Sequence, residues 1–268
     1  MNRRDEILSK VHSVSVMPTP MIEIIRLLQE PDVSVAELTR LIEYDPGLTS
    51  NVLRLANAAY FGYSRSIHSI KRAIVRLGTK NIFQLVVTSA VAPITQPAVK
   101  GYDLSPGELW KHSVAVAIGT DMLAMILGLS PPEYTFTAAL LHDVGKIVLG
   151  TFVEVDAAPI MEQAFKNHVS FEVAEHDVLG IDHAEIGSVL LANWNLPPDI
   201  VEVVQWHHQP EHFQGDSLVV DFVHVSDVLC MMGGVGIGTD GLNYRLSNKI
   251  VSRLNMTKRK AEKVISQR

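Results

Sequence analysis

Eleven histidines are spread through a chain of 268 residues, and several of them fall next to carboxylates in apolar surroundings. His112 lies in Glu108-Leu-Trp-Lys-His112. His142-Asp143 follows Ala139-Leu-Leu and is itself followed by Val144, Gly145 and Lys146. Further along come His183 directly after Asp182, the pair His207-His208, and Asp227 in Val-His-Val-Ser-Asp227. Imidazole nitrogens with a few carboxylates suit Fe, Mn, Zn or Ni better than Mg or Ca. An adjacent His-Asp pair can give one ligand to one ion and a carboxylate that bridges to a second, and two adjacent histidines can complete one site.

A His-Asp doublet alone is weak grounds, because chance nearly supplies one in a chain this rich in both residues. Here there is a second, His176-Asp177. Their contexts differ. His142-Asp143 follows Ala138-Ala-Leu-Leu141, which predicts a buried helix, and a buried charged pair needs a metal or a counter-ion. His176-Asp177 lies among Glu172, Glu175 and Gly180 and reads as a solvated surface. Each donor also has a plainer explanation. His112 alone suits a satisfied core histidine, and His183 suits a helix start capped by Asp182 and Glu185. His207-His208 suits a helix end, where the dipole favours them. Glu108, one turn before His112, is either a further ligand or the third residue of a capping box. Lys146 is either a solvated lysine or part of the site.

The elements that must position these residues read as helical nearly throughout. Thr19-Pro20, Ser34-Val-Ala-Glu37 and Asp45-Pro46-Gly47 are start or turn signals in the first third. Residues 69–78 form an amphipathic segment ending at Gly78, a natural residue just past a helix end. Residues 82–92 are apolar and β-branched, which permits a strand, but their neighbours favour a buried helix. Residues 93–107, with three prolines and two glycines, carry no apolar period and mark a boundary. Beyond it, Ser105-Pro-Gly-Glu108 and Ser130-Pro-Pro-Glu133 read as capping boxes with proline at the first helical position. Helices are predicted over 107–128, 132–149, 157–168, 183–194, 198–208 and 217–232. A glycine-rich break, 233–241, precedes a tail over 244–268 with eight Lys or Arg against Glu262. The reading is therefore all-α, with an N-terminal lobe over 1–97, a second helical lobe over 98–243 and a basic C-terminal helical tail over 244–268.

Composition narrows the function classes. Hydrophobic residues are 47% and charged residues 19%, ordinary for a chain that buries a core. A net charge of −6 argues against whole-surface nucleic-acid binding. The single cysteine, Cys230, excludes an internal disulfide and fits a reducing compartment. The first residues carry charges and no long apolar run, so no leader is read. The apolar stretches are too interrupted to span a bilayer, and a cytoplasmic protein without membrane contact is expected.

Three motifs give way on inspection. Gly236-Ile-Gly238-Thr-Asp-Gly241 matches a dinucleotide fingerprint by letters but follows a helix, with no βαβ unit round it. Residues 34–60 could form a helix-turn-helix, yet Arg40 and Arg54 are set against Glu37, Glu43 and Asp45, which attracts phosphate poorly. Asn255-Met-Thr257 is a glycosylation sequon with no meaning in a cytosolic chain. The basic tail is either a solvated helix or a docking element for an acidic partner; the spacing of Leu242, Ile250, Leu254 and Val264 packs part of it onto the body.

His112, His142-Asp143 and Asp227, in that order on separate helices, resemble the HD superfamily of metal-dependent phosphohydrolases. With His183 and His207-His208 the order resembles the HD-GYP subgroup, whose members hydrolyse cyclic di-guanylate at an iron or manganese centre. The N-terminal third points to a related branch. Met17-Pro-Thr-Pro-Met21, the stretch from Asp45-Pro-Gly-Leu to Tyr60-Phe-Gly62, and Ser66-Ile-His-Ser to Gly78 resemble the HDOD family of bacterial regulatory modules, many of which have lost the metal ligands. The resemblance spans roughly residues 10–230. It implies an N-terminal helical lobe packed on an HD-type bundle with a central metal site. His112, His142, Asp143 and Asp227 would hold one ion, and Asp143 would bridge to a second held by His183, His207 and His208. Lys146 would contact a phosphate or protonate a leaving oxygen, making Asp143 and Lys146 the catalytic pair. One or two Fe or Mn ions are favoured, with Zn or Ni fitting the same donors. The partners implied are a signalling protein and a nucleotide or cyclic dinucleotide. The segment after the paired histidines, Gln209–Asp216, has no Gly-Tyr-Pro, a departure from the cyclic di-guanylate hydrolases. An active phosphohydrolase is therefore the alternative to a signalling module that retains the metal centre.

Overall fold

The computed structural model describes residues 3–11, 19–28, 33–57, 66–152, 155–214, 217–241 and 243–266. Helices account for all the regular structure among them. In chain order they are α1 (Arg3–Val11), α2 (Thr19–Leu27), α3 (Val35–Glu43), α4 (Pro46–Ala56), α5 (Ile70–Thr95) and α6 (Glu108–Leu127). Next come α7 (Thr135–Leu141), α8 (Gly145–Ile147), α9 (Ala157–Asn167), α10 (Phe171–Leu179) and α11 (His183–Asn193). The last are α12 (Pro198–Trp206), α13 (Leu218–Met232), α14 (Asn248–Arg253) and α15 (Lys258–Ser266). None of the described helices is long and apolar enough to cross a membrane. Met17-Pro18 and residues 58–62 of the family-like stretches, and Leu242 of the tail, lie outside the described residues.

The chain divides into two compact units, residues 16–94 and residues 1–15 with 95–268. In the first unit, α3 starts where Ser34 accepts a hydrogen bond from the Glu37 amide, and α4 starts where Asp45 caps Gly47 and Leu48 ahead of Pro46. The Asn57 side chain, just past α4, donates to the carbonyls of Leu53 and Ile67 and accepts from the Ile67 amide at 2.7 Å. That clamp pins the segment leading into α5. Gly78 sits at φ 76° inside α5, so the first helical stretch ends there and a second begins. Residues 82–92 belong to that second stretch, a helix and not a strand.

The second unit is built round α13. Val219 to Met231 are all buried, so this helix is enclosed on every side. It packs against α6, which packs against α7, while α11 packs against α12 and α8. Ile250 of α14, Leu254 just past it and Val264 of α15 join Leu123, Phe222, Val225 and Leu229 in one apolar cluster, so the basic tail is anchored by its apolar face.

Three expectations are corrected here. Ser105–Glu108 forms no capping box. Gly107, at φ 82°, takes the cap position with no side-chain hydrogen bond, because the tight turn from Ser105 already uses the Glu108 amide. Ser130–Glu133 forms none either, and α7 begins only at Thr135. The helix over 132–149 is broken at the doublet. Val144 donates to Leu141 and Lys146 to Asp143, turns tighter than an α-helix, and a wider helical turn follows over Val148–Phe152. A Cβ on Gly145 would lie 1.9 Å from the His183 carbonyl, so this break with a bare glycine lets the doublet segment rest on α11. Finally α10, over 171–179, is a helix not anticipated, although Ser170 before it and Gly180 at φ 75° after it are ordinary start and stop residues.

Candidate metal centre

The second unit brings all seven of the expected donors together, in two groups. Asp143, His183, His207 and His208 present ligand atoms within 4.8 Å of one another, and so do His112, His142 and Asp227. Asp143 faces both. Its Oδ2 lies 3.5 Å from Nε2 of His112 and of His142, while its Oδ1 lies 3.5 Å from Nε2 of His183 and 3.9 Å from that of His207. Asp227 Oδ1 is 3.0 Å from His112 Nε2 and 3.7 Å from His142 Nε2; its Oδ2 is 3.7 Å from His208 Nδ1. No donor side chain is more than 4% exposed.

Four of the five rings are oriented from behind. His142 Nδ1 donates to the Ala139 carbonyl at 2.7 Å, and His207 Nδ1 to that of Val204 at 2.6 Å. His112 Nδ1 donates to the Val235 carbonyl at 3.0 Å, and His183 Nδ1 to Glu175 at 2.7 Å. Fixing Nδ1 in this way aims Nε2 into the cluster, the usual arrangement behind metal-binding imidazoles. His208 is different. Its ring stacks on Tyr244, planes 3° apart and centroids 4.2 Å apart, and its Nε2 lies 2.8 Å from His183 Nε2.

The residues fit a cation by what they leave unmatched. Nε2 of His142, Nε2 of His207, Oδ1 of Asp143 and Oδ2 of Asp227 are buried without a hydrogen-bond partner. Polar atoms in that state are costly unless something binds them. Asp143, Asp227 and Asp240 are three buried carboxyl side chains acting on one buried ammonium, that of Lys146. Metal ions coordinated by nitrogen and oxygen would answer both imbalances.

Electrostatics divide the group further. Burial opposes charge on Asp143, but Lys146 and the surrounding imidazoles outweigh it and hold the carboxyl well below the usual range. Asp227 is held low in the same way, chiefly by its hydrogen bond with His112 and by the nearby His142 ring. Burial also opposes charge on His183, yet Glu175 prevails and lifts the ring to about 9. Asp227 similarly raises His112 against burial. His207 is pushed down to about 3 by burial and then by His142, and His208 falls well below its ordinary value by burial and then by His207. Any ion bound at Nε2 of His112 or His183 must displace a proton that the neighbouring carboxylates favour.

Lys146 is buried, not solvated. Its ammonium lies 2.9 Å from Asp143 Oδ2 and 2.6 Å from Asp240 Oδ2, between the rings of Tyr102 and Tyr244. Glu108 stands outside the cluster and pairs with Lys111 at 2.6 Å. His176-Asp177 is exposed, as expected, but its neighbours Glu172 and Glu175 are buried, which corrects the reading of that whole segment as solvated.

Sequence reasoning missed two supports, Glu175 and Asp240. Glu175 holds His183 through both its ring and its amide and accepts from the Tyr102 hydroxyl. Asp240 holds Lys146 and accepts from Tyr244 at 2.9 Å. The signal for Glu175 was the unread helix α10. Asp240 lies in the glycine-rich break, where no period points to it. That break has a packing reason: a Cβ on Gly236 would lie 2.4 Å from Cβ of His112, so glycine lets the loop reach α6 and offer the Val235 carbonyl to His112. His224, beside Asp227 on α13, is a satisfied core histidine between the His207 carbonyl and the Ser247 amide.

Fold and site together define an all-helical protein of the HD-like type, with a buried His/Asp cluster able to hold a metal. Residues 14–210 match the HDOD domain, and the chain belongs to that family. A crystal structure of an HDOD domain protein of unknown function from Geobacter sulfurreducens is 25% identical, with a TM-score of 0.74 over 97% of this chain and 88% of its own. One of a candidate phosphohydrolase from Shewanella amazonensis SB2B is 26% identical, with a TM-score of 0.68 over 97% of each chain. An uncharacterized protein of Treponema pallidum (strain Nichols) is 25% identical over 211 residues, 77% of this chain. The chain spans 40% of that relative's length.

Proposed function

We propose that this protein is a regulatory module built round a two-ion centre. His112, His142, Asp227 and Oδ2 of Asp143 hold one first-row ion, and Oδ1 of Asp143 with His183, His207 and His208 holds the second. Iron or manganese is the preferred occupant, and zinc or nickel suits the same donors. The observation that carries this reading is Asp143 itself, whose two oxygens each face a separate histidine group. A regulatory role is favoured over catalysis by Lys146. Buried and clasped between Asp143 and Asp240, it is placed to neutralise the shared carboxylate more than to meet a phosphate. The proposed partners are a signalling protein and a nucleotide or cyclic dinucleotide.

Hydrolysis of a phosphodiester is the second reading. It is supported by the shared carboxylate and by the likeness to a candidate phosphohydrolase at 26% identity. Two ions of this kind supply a polarised phosphoryl oxygen and an activated water. In that case Asp143 and Lys146 set the charge at the shared position, and the anchored rings keep its geometry.

The test is the metal content of protein purified without added metal, beside His142→Ala. One to two equivalents in the wild type and a loss in the variant are expected. A wild type that stays metal-free after anaerobic reconstitution with Fe and Mn would sink both readings. Turnover of nucleotides or cyclic dinucleotides by the loaded wild type, abolished in Lys146→Ala with metal retained, would select the enzyme.

A further inference from the structure

A centre whose donors are this deeply enclosed must be filled through a path lined by groups that a hydrated cation tolerates. One surface cleft meets that need. It has a volume of about 260 Å3, and its walls include Glu172, His176, Asp182, Glu185, Gln205 and His208. Among the described residues no lysine or arginine lines it, although Arg4 pairs with Glu185. Of the seven donors, His208 is the one that borders this cleft.

Two further features separate this cleft from an ordinary acidic surface. Glu172 is 5% exposed; its Oε1 accepts from Ser170, while its Oε2 is buried with no hydrogen-bond partner. A buried carboxyl oxygen in that state, in the wall of a cleft, is a place for a ligand that donates or carries positive charge. His208, between the cleft and Asp143, has neither ring nitrogen tied to a carbonyl or carboxylate, unlike the four anchored rings. Stacked flat on Tyr244, it turns at the cost of a single hydrogen bond, the one it shares with His183.

We infer that this cleft is the loading route of the metal centre: Asp182 and Glu185 draw a divalent cation in, Glu172 Oε2 replaces part of its water shell, and His208 passes it inward. The inference rests on the proposed metal centre, so its test separates the two. Protein stripped with a chelator is mixed with Co2+, whose visible bands report binding to nitrogen and oxygen, and both the rate and the final stoichiometry are read. Glu172→Gln and Gln205→Lys each slow uptake by about five-fold or more at low salt, Gln205→Glu speeds it, and added salt narrows the differences. The final cobalt content is unchanged in all three. Rates within two-fold of wild type in both slowed variants would overturn the loading route while leaving the centre intact. A lowered final stoichiometry in Glu172→Gln at an unchanged rate would overturn it too, and would place Glu172 among the ligands. No cobalt uptake by the wild type would instead defeat the metal centre. The Gln205 variants, at a half-buried position, keep the test valid if Glu172→Gln folds poorly.

Discussion

Two His-Asp doublets lie 34 positions apart in this chain, His142-Asp143 and His176-Asp177, and the fold treats them oppositely. The first sits where α7 breaks into tight turns, with both side chains no more than 1% exposed and directed into the cluster. The second sits on the outer face of α10, where His176 is 4.0 Å from Glu185 and Asp177 accepts from Gln163 at 3.1 Å. Yet α10 does serve the centre. Its inner face carries Glu172 and Glu175, and Glu175, immediately before the second doublet, holds His183 in place. Helical geometry puts neighbours in sequence on different faces, so the position relative to the buried face decides a residue's fate and the dipeptide does not.

The comparison breaks most sharply at Asp143. Replacing it with alanine removes the carboxylate shared by both donor groups and leaves Lys146 with Asp240 alone. Both ions should be lost, and stability should fall by about 3–5 kcal/mol. Metal analysis and thermal unfolding would check this, and a variant that kept its metal would refute the shared role.

Gly145→Ala tests the backbone that aims the first doublet. Its new methyl group would lie 1.9 Å from the His183 carbonyl, so α8 and α11 must separate. A loss of about 3 kcal/mol or more is expected by denaturant unfolding, together with weakened metal retention.

Glu172 sharpens the contrast within α10. Burial lifts its carboxyl to about 7. The native state therefore holds this proton more tightly than the unfolded chain does. The stability it contributes is complete below pH 4.5 and is lost as pH rises through 7. Measured without metal, the stability of wild type relative to Glu172→Gln should fall by about 3 kcal/mol between pH 4 and pH 7.5. A pH-independent difference would count against the burial of a proton there.

The smallest effects belong to the second doublet. His176→Ala and Asp177→Ala should each stay within about 0.5 kcal/mol of wild type and leave metal content unchanged. A metal loss in either variant would mean that the outer face of α10 matters after all.

Much of this centre was legible beforehand because its donors are chemically distinctive and lie on helices with strong apolar patterns. His142 and Asp227 follow apolar runs long enough to require burial, His112 precedes one, and Asp182 caps the Glu185 amide just as its place ahead of His183 suggests. The supports were harder to read. Glu175 looks like any surface glutamate in a polar helix, and Asp240 like any loop aspartate. Their burial depends on Tyr102, Lys146 and Tyr244, residues up to 94 positions away. Ser105–Glu108 and Ser130–Glu133 form turns and not capping boxes because proline and glycine in their second and third positions favour a turn as readily as a helix start.

Amino-acid order alone determined the helical class, the set of donors and their succession along the chain, because periodicity and residue chemistry are local properties. Which oxygen of Asp143 faces which histidines, which side of α10 turns inward, and why the glycine-rich break must pass over His112 were decided by tertiary packing. Those outcomes depend on distances between segments far apart in the chain, and close packing leaves room for only one solution.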